Sequence, residues 1–153
     1  MSEFDPQIAS GVDVLALELT RVTGRFSKTI GRVPGNSYSP IAWRVLAELS
    51  EGRPTRVSEL AQRQRVAQPS MTGLVQRLEA EAWVERSPDP ADGRATLVGI
   101  TEKGRAALDD YRRAAAARVR PYLDELSPFD RATLARSAEL MQQLADRIEP
   151  RPG

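Results

Sequence analysis

Cysteine and histidine are both absent from the 153 residues, and the two absences remove much of the chemistry an enzyme draws on. Without cysteine there is no disulfide, no thiolate sensor of oxidants and no thiol nucleophile. Without histidine there is no imidazole base for a nucleophilic triad, and Cys/His zinc sites are excluded as well. Carboxylate-only metal sites survive this exclusion, yet no stretch carries Asp and Glu at the spacing of an oxygen-ligand loop. The chain is therefore expected to be no enzyme and to hold no metal and no cofactor. No apolar run approaches the roughly 18 residues of a membrane span. The stretch MSEFDPQIAS lacks the basic start and apolar centre of a secretory leader. A cytoplasmic protein with no membrane partner is expected. Aromatics are scarce at 5%, and neither sign of charge dominates: 22 Lys and Arg against 21 Asp and Glu leave a net charge of +1. No bulk basic character announces a polyanionic partner.

What the chain does have is local. Its length suits one domain, residues 1–153, with a real core. Between Arg53 and Leu78 stand Arg53, Arg56, Arg63, Arg65 and Arg77 against Glu59 alone, five cations and one anion, for a local charge of +4. Such a patch is the expected footprint of a DNA-binding face, although solvated arginines would leave the same mark.

The run VAQPSMTGLVQRLEAE, Val66 to Glu81, carries the sharpest pattern. Pro69 suits the first turn of a helix, where a missing N–H costs nothing. Met71, Leu74, Val75 and Leu78 then recur as one buried helical stripe. The other face holds Ser70, Thr72, Gly73, Gln76 and Arg77, short hydrogen-bonding groups suited to base edges in a major groove. Upstream, VSELAQRQ is a short helix closed by the polar run Arg63 to Arg65, and about four residues separate it from the Pro69 helix, the spacing of a helix-turn-helix. Downstream, Trp83 to Arg86 and Ala95 to Ile100 are β-leaning, with Asp92-Gly93 between them as the turn signal. Thr55 to Val57 is a candidate third strand. A helix-turn-helix followed by a hairpin is a winged helix, here over residues 36–100. Winged helices also serve as protein contacts, so an interaction module without DNA binding is the alternative function.

Long helical patterns flank this unit. Asp5 to about Gly31 carries Ile8, Val12, Leu15, Leu19, Val22 and Phe26 at heptad-like spacing, with Val14 and Leu17 off the stripe. Ser39-Pro40 opens the next helix and Gly52 closes it. After the wing, Thr101 is placed to cap a helix bearing Leu108, Tyr111, Ala115, Val119 and Tyr122, which Pro121 should kink or end. Ser127-Pro128 starts the last helix, with Asp130 at the capping-box position and a stripe of Leu134, Ala138, Met141, Leu144 and Ile148. The tail from Glu149 to Gly153 is expected to fray. The fold expected is mainly α with a small β-wing. Residues 5–31 and 101–149 would form a helical lobe whose seams exceed one monomer's needs, which points to a homodimer.

SELA (Ser58 to Ala61), QPSMTGLVQRLE (Gln68 to Glu79), VERSPDPADGR (Val84 to Arg94) and ITEKGRAAL (Ile100 to Leu108) resemble the MarR family of winged helix-turn-helix transcriptional regulators over essentially the whole chain. The resemblance implies an obligate homodimer on pseudo-palindromic, double-stranded operator DNA, usually as a repressor. It implies that Arg94 is the wing arginine and Asp92 the acid that helps fix it. Ser70, Thr72, Gln76 and Arg77 fall where the family's recognition helix meets DNA, and Arg65 in the preceding turn is a further DNA-binding candidate. Three positions depart from the pattern. Gly73 stands where many members have a DNA-contacting arginine, Ala82 replaces the glycine that usually ends this helix, and Gly93 replaces the middle arginine of the wing. Members often respond to small aromatic or phenolic acids bound between the dimerisation helices and the winged lobe. Phe26, Tyr38, Trp43 and Tyr111 are candidates to line such an effector site, or ordinary core aromatics.

Overall fold

The computed structural model describes residues 11–149. The chain order is α1 (Gly11–Ile30), α2 (Pro40–Glu51), β1 (Thr55–Arg56), α3 (Val57–Gln64), α4 (Gln68–Ala80), β2 (Val84–Asp89), β3 (Asp92–Ile100), α5 (Glu102–Glu125) and α6 (Pro128–Ile148). The expected start of α1 at Asp5, its stripe residue Ile8 and the tail beyond Glu149 lie outside the described residues.

The core sits where α2, α3, α4, the sheet and the start of α5 converge. Val45, Leu46, Leu60, Met71, Val75, Leu78, Val84 and Val98 are fully buried there, with Leu108 completing the cluster from α5. Each comes from the apolar stripe of its helix or the inner face of its strand, as helical and strand periodicity require. The sheet is antiparallel in the order β1-β3-β2. Thr55 pairs with Val98 and Arg56 with Leu97, so the third strand expected near Thr55 is present, two residues long.

Helix ends follow local chemistry. Thr101 Oγ1 accepts the Gly104 N–H at 3.0 Å and itself donates to the Ala82 carbonyl at 2.6 Å. That one hydroxyl ties the start of α5 to the end of α4. Gly104 lies so close to the chain beneath it that a Cβ there would stand 2.0 Å from the Trp83 carbonyl oxygen. Ser127 Oγ accepts the Asp130 N–H and donates to the Asp130 carboxylate. Ser39 occupies the N-cap of α2, but its side chain makes no capping bond. Pro121 does not end α5, which runs another turn to Glu125. Two arginines close helices from outside: Arg118 donates to carbonyls at the end of α1 and Arg131 to carbonyls at the end of α5, each a cation at the negative end of a helix dipole.

Ala82 holds φ +59°. Trp83 N donates to the Leu78 carbonyl and Ala82 N to that of Glu79, the paired bonds that normally close a helix over glycine. Alanine there adopts the left-handed conformation, at a cost of roughly 1–2 kcal/mol.

The wing corrects the sequence expectation. Its strands extend to Asp89 and from Asp92, and the chain reverses at Pro90 and Ala91, not at Asp92-Gly93. Asp89 Oδ1 accepts the Ala91 N–H at 2.9 Å, a side-chain-closed turn with proline at its favoured second position. Pro88 is tolerated because β2 is an edge strand.

Candidate nucleic-acid interface

Burial of Met71, Leu74, Val75 and Leu78 beneath α4 turns the opposite face of that helix outward. Ser70, Gln76 and Arg77 are exposed and Thr72 is half-buried at its edge. A Cβ on Gly73 would meet nothing within 4 Å, so this face carries an open notch between Ser70 and Arg77. Arg65, exposed in the turn before α4, closes α3 with φ 53°, its N–H bonded to the Gln62 carbonyl.

Arg94 is exposed on β3, just beyond the turn. Asp92 Oδ1 accepts the backbone N–H of Arg94 at 3.1 Å, so the acid engages its peptide group rather than its guanidinium. Among the described residues, Arg65, Arg77 and Arg94 form no ion pair. Their neighbours do. Arg56 donates to Asp89 Oδ2 from Nε at 2.9 Å and from Nη2 at 2.5 Å, and Arg63 Nη1 lies 2.9 Å from Glu48 Oε1. The local +4 read along the chain therefore overstates the patch, because two of its five arginines are balanced by carboxylates from outside that stretch.

Asp89, which sequence reasoning missed, is only 9% exposed. The Ala91 N–H, and then the Arg56 guanidinium, hold its carboxyl below the ordinary range. Its signal lies in Asp-Pro-Ala, a turn opening in its own right beside the stronger Asp-Gly.

Three of the four aromatic candidates meet. Trp43 stacks on Tyr111 with ring centroids 4.2 Å apart and planes within 3°, and Tyr38 meets Trp43 edge-on at 6.2 Å. Trp83, not anticipated, completes the group at 4.9 Å from Tyr38 and 5.5 Å from Trp43. Phe26 does not join them. It lines a separate cleft of about 550 Å³ with Ile30, Val119, Pro121 and Tyr122. Trp43 Nε1 is buried and has no hydrogen-bond partner among the described residues. The Tyr38 hydroxyl donates to Glu81 Oε1 at 2.9 Å, at the C-terminal end of α4. Burial, then that bond, raise the Tyr38 phenol above its ordinary value and keep it a donor.

Residues 37–95 match the model of the MarR family. An uncharacterized HTH-type transcriptional regulator of Mycobacterium bovis is 33% identical over 150 residues, covering 95% of this chain and 98% of its own. The chain belongs to the MarR family. The homoprotocatechuate degradative operon repressor of Escherichia coli is 30% identical over 107 residues, 70% of this chain and 66% of that protein. Among solved structures, a transcriptional regulator of Thermotoga maritima superposes with a TM-score of 0.71 at 25% identity, covering 88% of this chain and 96% of that one. MarR proteins are winged-helix, DNA-binding regulators of transcription and not enzymes. Within that MarR fold, the β2–β3 hairpin is the wing. The glycine of ITEKGR has its reason in the Trp83 carbonyl beneath it. No helix among the described residues is long and apolar enough to cross a membrane.

Proposed function

We propose that the protein is a homodimeric repressor that reads an inverted repeat in double-stranded DNA and is released by a small aromatic or phenolic ligand. The observation that carries the reading is a contrast among arginines. Arg65, Arg77 and Arg94 stand exposed and without ion pairs on the turn, α4 and the wing, while Arg56 and Arg63 beside them are neutralised. Unpaired guanidiniums on one lobe suit phosphates and a narrow minor groove. The Ser70, Thr72 and Gln76 hydroxyls and amide suit base edges or phosphate oxygens. Asp92 supports the wing by holding the Arg94 peptide group.

A second copy would cover the apolar residues that α1 and α6 leave in the open, among them Leu15, Leu17, Leu134 and Leu144. The helical lobe, residues 5–31 and 101–149, would then be the dimer interface, and residues 36–100 the DNA-reading lobe. Two recognition helices related by a twofold axis match half-sites about 10–10.5 base pairs apart, or a multiple of that. For the ligand, Tyr38, Trp43 and Tyr111 offer aromatic faces, and the unpaired Trp43 Nε1 offers a donor to a carboxylate or carbonyl. One relative's name ties it to the degradation of an aromatic acid.

The test uses an operator duplex selected from randomised DNA, with binding read by fluorescence anisotropy across a salt series. Arg94→Ala should weaken binding to many sequences, reduce the preference for A·T-rich flanks and flatten the salt dependence by about one charge. Gln76→Ala should leave the slope nearly unchanged and, where it reads a base, cost roughly 1–3 kcal/mol on the operator alone. Equal salt slopes for Arg94→Ala and the parent would remove the wing from the DNA and revive a protein-interaction role.

A further inference from the structure

β1 opposes β3 only at Leu97 and Val98. From Thr96 outward the wing is a two-stranded ribbon, and such a ribbon is marginally stable by itself and twists readily. Something must fix its direction if Arg94, beyond the third strand's reach, is to arrive in one place. The Asp89 carboxylate touches both sides of the problem, while Asp92 Oδ2 stands a looser 3.9 Å from Arg56 Nη2. At the tip, where the pairing register shifts between Pro88 and Asp89, Oδ1 closes the turn through the Ala91 N–H. At the root, Oδ2 accepts both Nε and Nη2 of Arg56, on the strand that leads directly into α3. Asp89 is nearly buried, and Arg56 is about one-third exposed.

We propose that Arg56 and Asp89 are positioning residues for DNA binding, a lock between the root of the helix-turn-helix and the wing tip that sets the pose from which Arg94 reaches the minor groove. The inference rests on the DNA-binding reading above and deepens it. Arg56 otherwise looks like one more phosphate contact of the basic patch, and that competing role makes opposite predictions. The Asp89 charge lies on the DNA-reading lobe, so deleting it should strengthen DNA binding if only long-range electrostatics mattered. If the carboxylate positions the wing, deleting it weakens binding. Asparagine keeps an oxygen for the Ala91 N–H, and loses the ion pair.

The experiment measures anisotropy with the selected operator duplex for Asp89→Asn and Arg56→Gln, each in the parent, Arg94→Ala and Gln76→Ala backgrounds, with thermal melts beside them. Each single variant should bind on the order of tenfold more weakly than the parent, with a salt slope shallower by about one charge, as though Arg94 had been withdrawn. Neither should weaken Arg94→Ala further, and both should add their full effect to Gln76→Ala, because only the wing is misplaced. A general loss of fold would move all three backgrounds alike. Tighter or unchanged binding by Asp89→Asn overturns the lock. So does an Arg56→Gln effect that persists in the Arg94→Ala background, which would make Arg56 a direct phosphate contact. Should Asp89→Asn melt below the assay temperature, Arg56→Gln decides, since it leaves the Asp89 turn in place. Loss at Arg94 with none at Asp89 removes the lock alone, whereas no loss at Arg94 removes the wing contact on which it depends.

Discussion

The apolar stripes of α4 and α6 meet different fates. In α4, Met71, Val75 and Leu78 are fully buried, and in α6 Leu134 and Leu144 remain 49% and 47% exposed. Neither α1 nor α6 contains a single buried residue. Spacing cannot account for the difference, because both helices carry heptad-like patterns as regular as that of α4. What differs is the company. The winged lobe brings three helices, a sheet and the head of α5 to one point and closes its own core. The terminal helices leave Leu15, Leu17, Leu134 and Leu144 in the open, and contiguous exposed apolar surface marks an interaction site in soluble proteins. One lobe closes its core within the chain, the other leaves its apolar stripes in the open, and in the proposed dimer a second copy covers them.

The joint between the lobes gives the largest effect. Gly104→Ala would drive a Cβ into the Trp83 carbonyl, and backbone cannot yield as a side chain does. We expect a loss of about 3 kcal/mol, read as a fall in the urea midpoint at every protein concentration. A melt equal to the parent's would mean that the joint is loose and the two lobes are less coupled than the geometry requires. Ala82→Gly, on the other side of the same joint, should raise stability by about 1 kcal/mol by relieving the left-handed alanine. A loss there would show that the methyl group packs usefully.

The smallest effect is on pH. The Asp89 carboxyl is held below its ordinary value of 3.8, so its contribution is present above that value and lost as pH falls through the lowered one. The parent and Asp89→Asn should differ in melting temperature by a constant amount above about pH 5. That gap should close below pH 4. A gap that widens in acid would reverse the assignment.

Much of the winged lobe was legible because its signals are local. Val57–Gln64 and the α4 stripe follow from periodicity, and Thr101 and Ser127 cap their helices through hydroxyls adjacent to them in sequence. What escaped depends on distance along the chain. Arg56 counted as a free cation until Asp89, 33 residues away, was seen to hold it. Trp83 could not be joined to Tyr38 and Trp43 without the close of α4 that brings it back. Tyr111 reaches the end of α1, donating to the Gly31 carbonyl, whereas Phe26 lies more than a turn earlier in α1 and lines a cleft with Val119 and Tyr122 further along α5. Of the candidate site, the exposed polar face of α4 and Arg94 could be read directly. Their support from β1 could not.

In the proposed homodimer the terminal helices are half of an interface. Sedimentation equilibrium at micromolar concentration tests it most directly, on the parent and on a Leu15→Asp, Leu144→Asp double variant. The parent should sediment at twice the 16.9 kDa of the chain, and the variant should dissociate to 16.9 kDa or lose its fold altogether. A parent that remains a folded 16.9 kDa monomer would contradict the claim.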